Sequence, residues 1–406
     1  VRNEQTMKTY NVGILGFGFI GKVHAYGHLN IPLFYETPPC TTRITHICTS
    51  RIETAERGRA QIGARVATTD YREITENPDV DIVHICTPNH LHKDQLLSAM
   101  AHDKHIYCDK PLVAGLDEIP PIEAALKSSA GIAQMTFQNR FFPATLRARQ
   151  LVEEGFLGNL LQFRASYLHA GSASPDAPLR WKLSAEAGGG VLADLASHVL
   201  DLLHPLVGDF ASLMAATQIA YADRPSAEEP KKRVKVDAED NVMMLVRTRS
   251  GALGTVEATK IATGVEDELR FELHGSKGAM RFNLMAPHHL EVYDATAPGE
   301  PVGGRRGWTR IDTGQRYPAP GGKFPSPKAS IGWMRSHMAC LANFLYAVAE
   351  NKPAEPGLEQ GIYIQKLIGA ARRSARTSAW VESVSYTHLR AHETPEHLVC
   401  RLLLEK

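Results

Sequence analysis

The sequence predicts an α/β chain: an N-terminal Rossmann-type dinucleotide-binding domain over residues 7–135, then an α+β domain over 136–383 carrying a large, mostly antiparallel sheet. Three observations predict it. Short β-branched runs alternate with helical stretches through the first 135 residues, the pattern of strand–crossover–strand units. A glycine-spaced turn, GFGFIG, follows the first of those runs. From about residue 136 the texture changes to alternating runs joined by SG and GSKG turns, which suit antiparallel strands.

The elements follow in order. YNVGIL (10–15), RITHIC (43–48), DIVHIC (81–86) and KHIYC (104–108) are apolar enough to be parallel strands buried on both faces. HAYGHL, ETAERGRAQIG and HKDQLLSAMAHDK lie between them as crossover helices. Beyond 136, ATLRARQLVEEG is a helix and LLQFRASYLHA a strand, followed by a Gly/Pro/Ser-rich loop. VMMLVRTRSGALGTVEAT and LRFELHGSKGAMRFN are hairpins of a sheet with one covered face, and DRPSAEEPKKRVKVD (223–237) is a polar, solvated connection.

Composition bounds the function. At 406 residues, 43% hydrophobic and 22% charged, the chain suits a soluble globular protein of two or three domains. Forty-five basic residues nearly balance 44 acidic ones, so no strong field favours nucleic acid or an anionic membrane. No apolar run is long enough for a membrane span, and no leader precedes Met7. The cysteines at 40, 48, 86, 108, 340 and 400 form no CxxC pair and suit buried thiols, so a cytoplasmic location is expected.

Gly16, Gly18 and Gly21 stand between a strand and a helix, where each has a separate task. Gly16 allows the tight turn, Gly18 lets a pyrophosphate approach the backbone, and Gly21 lets helix pack on strand. Phe17, Phe19 and Ile20 complete that loop. The second strand ends ICTSR, with no carboxylate for a free ribose hydroxyl. Ser50 and Arg51 suit a 2′-phosphate, which tilts the choice between NAD and NADP towards NADP.

Two more clusters close strands at the cofactor end: CTPNHLH, with Thr87, Pro88, Asn89 and His92, and YCDKPL, with Asp109 and Lys110. A lysine at a strand end before a rigid proline suits an active-site role. In AGGGVLADLASHVLDLLH (187–204), helical spacing puts Asp194, His198 and Asp201 on one face, with Leu192, Leu195, Val199 and Leu203 behind. His198 is suited to shuttle a proton near neutral pH, and Asp194 to bind hydroxyls or tune the lysine. No third histidine or cysteine stands near that stripe, so no metal site is expected.

Together the glycine fingerprint, CTPNHLH, DKP in place of the commoner EKP, and GGG…D…SHxxD resemble the Gfo/Idh/MocA family of sugar and cyclitol oxidoreductases. The resemblance spans residues 7 to 383, including RFFPATLRARQLVEEGFLGNL (140–160) and Trp380-Val381. It implies a catalytic set of Lys110, Asp194 and His198, and hydride exchange between a nicotinamide and a ring hydroxyl of a sugar, sugar derivative or cyclitol. It also implies a homo-oligomer, dimer or tetramer, formed through the second-domain sheet. Some relatives are instead glycosidases that oxidise the sugar transiently and return the hydride. A non-catalytic dinucleotide sensor fits less well, given the intact Lys110, Asp194 and His198. Arg140, Tyr167, His169, Trp181 and Lys182 are candidate substrate-pocket residues.

The chain ends with His388, His392, His397 and Cys400 at spacings that invite a metal reading. Back-translation gives another origin. With one choice of codons VSYTHLRAHET (384–394) reads as a sequencing-library adapter and LVCRLLLEK (398–406) as the flow-cell end, with Pro395-Glu396-His397 in the place of an index. Residues 384–406 are therefore set aside as a translated artefact, leaving five native cysteines. Val1–Thr6 are read in the same way as upstream sequence, with Met7 the start.

Overall fold

A computed structural model describes residues 7–229 and 231–383. The tail and upstream readings, and the metal question they raise, lie outside the described residues.

The first half is a parallel sheet of β1 (Thr9–Leu15), β2 (Thr41–Cys48), β3 (Val66–Thr68), β4 (Ile82–Ile85), β5 (His105–Asp109) and β6 (Ala133–Thr136), in the order β3-β2-β1-β4-β5-β6. Its crossovers include α1 (Phe19–Phe34), α2 (Ile52–Ile62), the single turn α3 (Arg72–Thr75), α4 (His92–Ala101) and α5 (Ile119–Leu126). Val12, Ile14, Ile47, Ile82, Val83 and Ile85 are fully buried, as continuous apolar strands under two helical layers must be. Strand order reverses between β1 and β4, which opens a crevice at their carboxyl ends.

The second half adds α6 (Pro143–Glu153), β7 (Leu160–Leu168), α7 (Ser197–Val207), β8 (Phe210–Gln218), β9 (Asp223–Pro225), β10 (Arg233–Lys235), β11 (Asn241–Thr248) and β12 (Leu253–Thr259). It continues with β13 (Glu268–Gly275), β14 (Gly278–Asn283), β15 (His289–Asp294), β16 (Trp308–Asp312), α8 (Trp333–Glu350), α9 (Leu358–Thr377) and β17 (Val381–Glu382). Nine of these strands form one sheet, β16-β15-β14-β13-β7-β12-β11-β8-β17, antiparallel except where β12 runs beside β7. One face is packed under α6, α7 and α9, with Phe163, Val242, Val256, Phe271 and Leu273 in that core. Where the sequence suggested a featureless polar connection, β9 and β10 pair as a small hairpin, which uses backbone hydrogen bonds that a bare loop would leave to water.

Sequence order does not separate the two halves in space. Helix α8, far along the chain, packs on α1 and closes the nucleotide-binding core with Leu341, Phe344 and Leu345. The approach is close at Gly27: a Cβ there would stand 2.7 Å from Leu341 Cδ2. Helix α9 lies between the two sheets, touching both β6 and β8. The crevice above β1 and β4 is thereby walled by both halves of the chain.

Candidate active site

The crevice is a cavity of about 860 Å³, lined by the glycine loop, by the ends of β2, β4 and β5, and by Trp181, Lys182, Gly189, Gly190, Ala193 and Asp194. Gly16, at φ +85°, turns the chain out of β1; a Cβ there would stand 2.5 Å from the Cys86 carbonyl oxygen. A Cβ on Gly18 would meet nothing within 4 Å, so the space above it is open to a ligand's phosphates. A Cβ on Gly21 would strike the Gly16 carbonyl, which is how α1 packs so near β1. Helix α1 has no acidic residue in its first turn, so its N-terminal N–H groups face the cavity uncompensated. These residues fit a dinucleotide.

The other nucleotide-site candidates divide. Phe17, Phe19, Ile20, Ser50, Thr87, Pro88, Asn89, Asp109 and Lys110 all stand on the wall. Arg51 does not; it is exposed and caps α2, its carbonyl taken by the hydroxyls of Thr49 and Thr54. His92 is fully buried off the wall, its ring nitrogens 3.0 Å from the Pro111 carbonyl and 2.9 Å from that of Thr87. It ties the two strand-end motifs together. Asn89 donates to the Gly188 carbonyl at 2.8 Å and so pins the triple-glycine turn to the first half.

Asp194 is the centre of the site. Lys110 Nζ donates to its carbonyl oxygen at 2.7 Å and to Oδ1 at 3.0 Å; Lys182 Nζ reaches Oδ1 at 3.0 Å, and Lys260 Nζ reaches Oδ2 at 3.1 Å. Burial alone would push the carboxyl up, but Lys110, Lys260 and Lys182 together hold it well below the usual carboxylate range. Lys260 did not stand out in the sequence. Its one signal is a lysine closing an otherwise alternating strand, and it is 6% exposed.

The uniform helix expected through 187–204 is interrupted. Leu192–Ala196 form a π-helical turn before α7 begins, so the residues do not keep simple α spacing. His198 does not stand on the cavity wall; it is buried, with Nδ1 lacking a hydrogen-bond partner among the described residues. Burial first, then Lys110, keep its basicity well below that of free imidazole, so the ring is neutral and able to accept a proton. Asp201 turns elsewhere. It accepts from Arg140 Nε at 2.6 Å and Gln360 Nε2 at 3.0 Å, and is 1% exposed. Arg140 is therefore not brought to the cavity wall: the expected substrate arginine is held in an ion pair that joins α6's entry to α7. A buried carboxylate needs such a partner.

Among the remaining substrate candidates, Trp181 and Lys182 stand on the wall. Tyr167 and His169 form a layer behind it: Tyr167 meets His198 edge-on at 5.9 Å and His169 at 4.9 Å, and both bond to Asp267.

Residues 10–137 match the oxidoreductase family NAD-binding Rossmann fold of Gfo/Idh/MocA, and residues 149–383 match that family's C-terminal alpha/beta domain. The chain belongs to the Gfo/Idh/MocA oxidoreductase family. Levoglucosan dehydrogenase of Pseudarthrobacter phenanthrenivorans is 33% identical to it over 390 residues, 93% of this chain and 98% of that protein. Myo-inositol 2-dehydrogenase of Thermotoga maritima is 26% identical over 267 residues, 66% of this chain and 73% of that one. A solved levoglucosan dehydrogenase in complex with NADH and L-sorbose superposes with a TM-score of 0.89, at 33% identity, covering 93% of this chain and all of that chain. As a Gfo/Idh/MocA member this protein is an NAD-binding oxidoreductase. Among the described residues no helix is long and apolar enough to cross a membrane.

The site sits among buried neutral imidazoles. His24, His28, His84, His198 and His337 are each held below 6.5, first by burial. As pH falls through that value the unfolded chain takes up protons that the folded one refuses. Their contribution to stability is therefore whole above pH about 6.5 and is lost below it, by about 1.4 kcal/mol per group and pH unit. The thermal midpoint should drop steeply between about pH 7 and pH 5 in calorimetry; a flat profile would contradict buried neutral rings.

Proposed function

We propose that this protein is an NAD-dependent dehydrogenase that oxidises a ring hydroxyl of a sugar or anhydrosugar, levoglucosan being the first substrate to test. The observation that carries this reading is the Asp194 carboxylate bridging three ammonium groups, with Asp194, Lys110 and Lys182 on the wall of the cavity above the glycine loop. The likeness to levoglucosan dehydrogenase over 93% of the chain supports the substrate class. Residues 7–135 would hold the dinucleotide and 136–383 supply the substrate wall, with Trp181 offering a face on which a sugar ring can stack.

NAD, when bound, accepts the hydride from the substrate carbon. The chain's own residues do the rest. His198 takes the hydroxyl proton as general base, its low basicity keeping it unprotonated beforehand. Lys110 donates to the same oxygen and stabilises the negative charge that develops there. Asp194 holds the Lys110 ammonium in place and offers an acceptor to a neighbouring substrate hydroxyl. Ser50, with no carboxylate at the end of β2, leaves room for a 2′-phosphate, so acceptance of NADP beside NAD is part of the proposal.

The sheet face turned away from α7 and α9 carries exposed Met243, Leu245 and Leu253 between the charges of Arg164, Arg270 and Glu272. A second copy of the chain is the proposed occupant, since apolar and both charge signs on one face allow self-complementarity. The five described cysteines are free and buried, which supports a reducing, cytoplasmic setting.

Two measurements test this. With levoglucosan and NAD, His198→Ala and Lys110→Met should each lower kcat by about 10²–10⁴-fold while NADH binding survives. Full activity in both variants, or release of aryl aglycones without reduced cofactor, would overturn the mechanism. In sedimentation the protein should run as a dimer or larger, and Leu245→Glu should dissociate it; a wild-type monomer would remove the sheet-face assignment.

A further inference from the structure

The polar segment 223–237 holds one side chain that the site chemistry above leaves without a role. Its Lys231, Lys232, Arg233 and Lys235 are exposed, as a solvated stretch requires, but Arg224 in β9 is fully buried. A guanidinium does not shed its charge, so burying one is costly unless its donors are used. Arg224 uses them on backbone: Nη1 donates to the Ser174 carbonyl and Nη2 to the Ser172 carbonyl, both at 2.6 Å. Asp240, equally buried, stands 3.9 Å from Nη2 and supplies counter-charge without a direct hydrogen bond.

Ser172 and Ser174 belong to the loop that leads from β7 to the cavity wall. The carbonyl between them, that of Ala173, accepts from the Tyr221 hydroxyl at 2.8 Å, and the Tyr221 ring lies 5.0 Å from the Arg224 guanidinium. Three successive carbonyls of the loop are thus taken by two side chains at and just before β9. Further along, the Leu179 N–H donates to the Pro225 carbonyl at 2.7 Å, and Leu179 bridges to Ser226. The segment around β9 therefore holds the loop at two places. Two residues beyond the second are Trp181 and then Lys182, both on the cavity wall.

The same arrangement reaches another of the lysines on Asp194. The Lys260 N–H donates to the Asp240 carbonyl at 2.9 Å, and the Lys260 carbonyl accepts from the Ser172 N–H at 2.8 Å. Lys260 is fixed between the counter-charge of Arg224 and the loop that Arg224 holds, with Nζ 3.1 Å from Asp194 Oδ2. An apolar side chain at 224 could fill the same space. It would leave two buried carbonyls without donors, and the loop would have to move to satisfy them.

We propose that Arg224 is a positioning residue for substrate recognition, holding the 172–182 loop so that Trp181 and Lys182 present a set surface to the sugar ring. The proposal rests on the dehydrogenase reading, in which that ring is the substrate, and it makes the segment around β9 a determinant of which rings are accepted. Arg224 is not itself on the cavity wall and touches no reacting group. The glycine loop and Lys110 are carried by β1 and β5, in the other half of the chain. Loss of Arg224 therefore weakens sugar binding while NADH binding and the reaction itself persist.

The test uses the full chain with NADH bound. Hydrogen exchange read by mass spectrometry should be about ten-fold or more faster over 171–183 in Arg224→Met than in wild type, with 9–22 around the glycine loop unchanged. Equal exchange over 171–183 would overturn the proposal, and so would faster exchange in both stretches, which reports general loss of stability. A second arm follows levoglucosan oxidation by NAD. Arg224→Met should raise KM for the sugar by about ten-fold or more, with kcat within about three-fold of wild type and NADH affinity kept. A fall in kcat at unchanged KM is what a merely structural role gives, through a smaller active fraction, and would overturn the positioning role. If Arg224→Met does not fold, Tyr221→Phe removes a single hydroxyl and should raise both the exchange over 171–183 and KM by about three-fold; no change in either would count against the proposal. If the wild type does not oxidise levoglucosan, the substrate reading fails, and the exchange arm still decides whether Arg224 holds the loop.

Discussion

Everything in the site hangs on one largely enclosed carboxylate. Asp194 meets Lys110 from the nucleotide-binding sheet, Lys182 from the loop after β7, and Lys260 from the end of β12. Those three lysines come from parts of the chain that share no local structure, so the carboxylate ties both halves together at the cavity, beside the packing of α8 and α9. Lys110 and Lys260, both largely withdrawn from water, would repel each other without it, with the half-exposed Lys182 adding to that repulsion. In the proposed mechanism the same contacts hold Lys110 towards the reacting oxygen, while burial, then Lys110, keeps His198 neutral.

Much of the nucleotide-binding half was legible in the sequence because its signals are local. Val12, Ile14, Ile82 and Val83 sit in continuous apolar runs, as strands covered on both faces must, and the three glycines mark a turn that few other residues tolerate. Lys110 and Asp194, which meet on the cavity wall, were also marked by motifs at strand and helix ends. What pattern could not show is where a polar side chain turns. Asp201 lies on the expected face by helical count, yet the π-helical turn at Leu192–Ala196 alters the register and Arg140, just before α6, captures it.

Long-range partners were illegible for the same reason. Lys260 is a single charge at the end of a strand, and only the pairing of β12 beside β7 brings it to Asp194. The buried imidazoles are dispersed over α1, β4 and α8, and His337 is more than 250 positions from His84. Nothing in HAYGH or DIVHIC announces that α1 will cross β4 with its imidazoles inward. The close crossing of α8 on α1 at Gly27 then brings His337 over the same core. Fold class is written in periodicity, whereas site composition is written in tertiary contact.

The most direct test of the central role of Asp194 is Asp194→Asn, nearly identical in shape but without the charge. Unfolding and steady-state oxidation should be measured on the same preparation. The account predicts a loss of about 3–5 kcal/mol in stability, because three ammonium groups lose their counter-charge, together with collapse of turnover while NADH still binds. Unchanged stability and unchanged turnover in Asp194→Asn would contradict it.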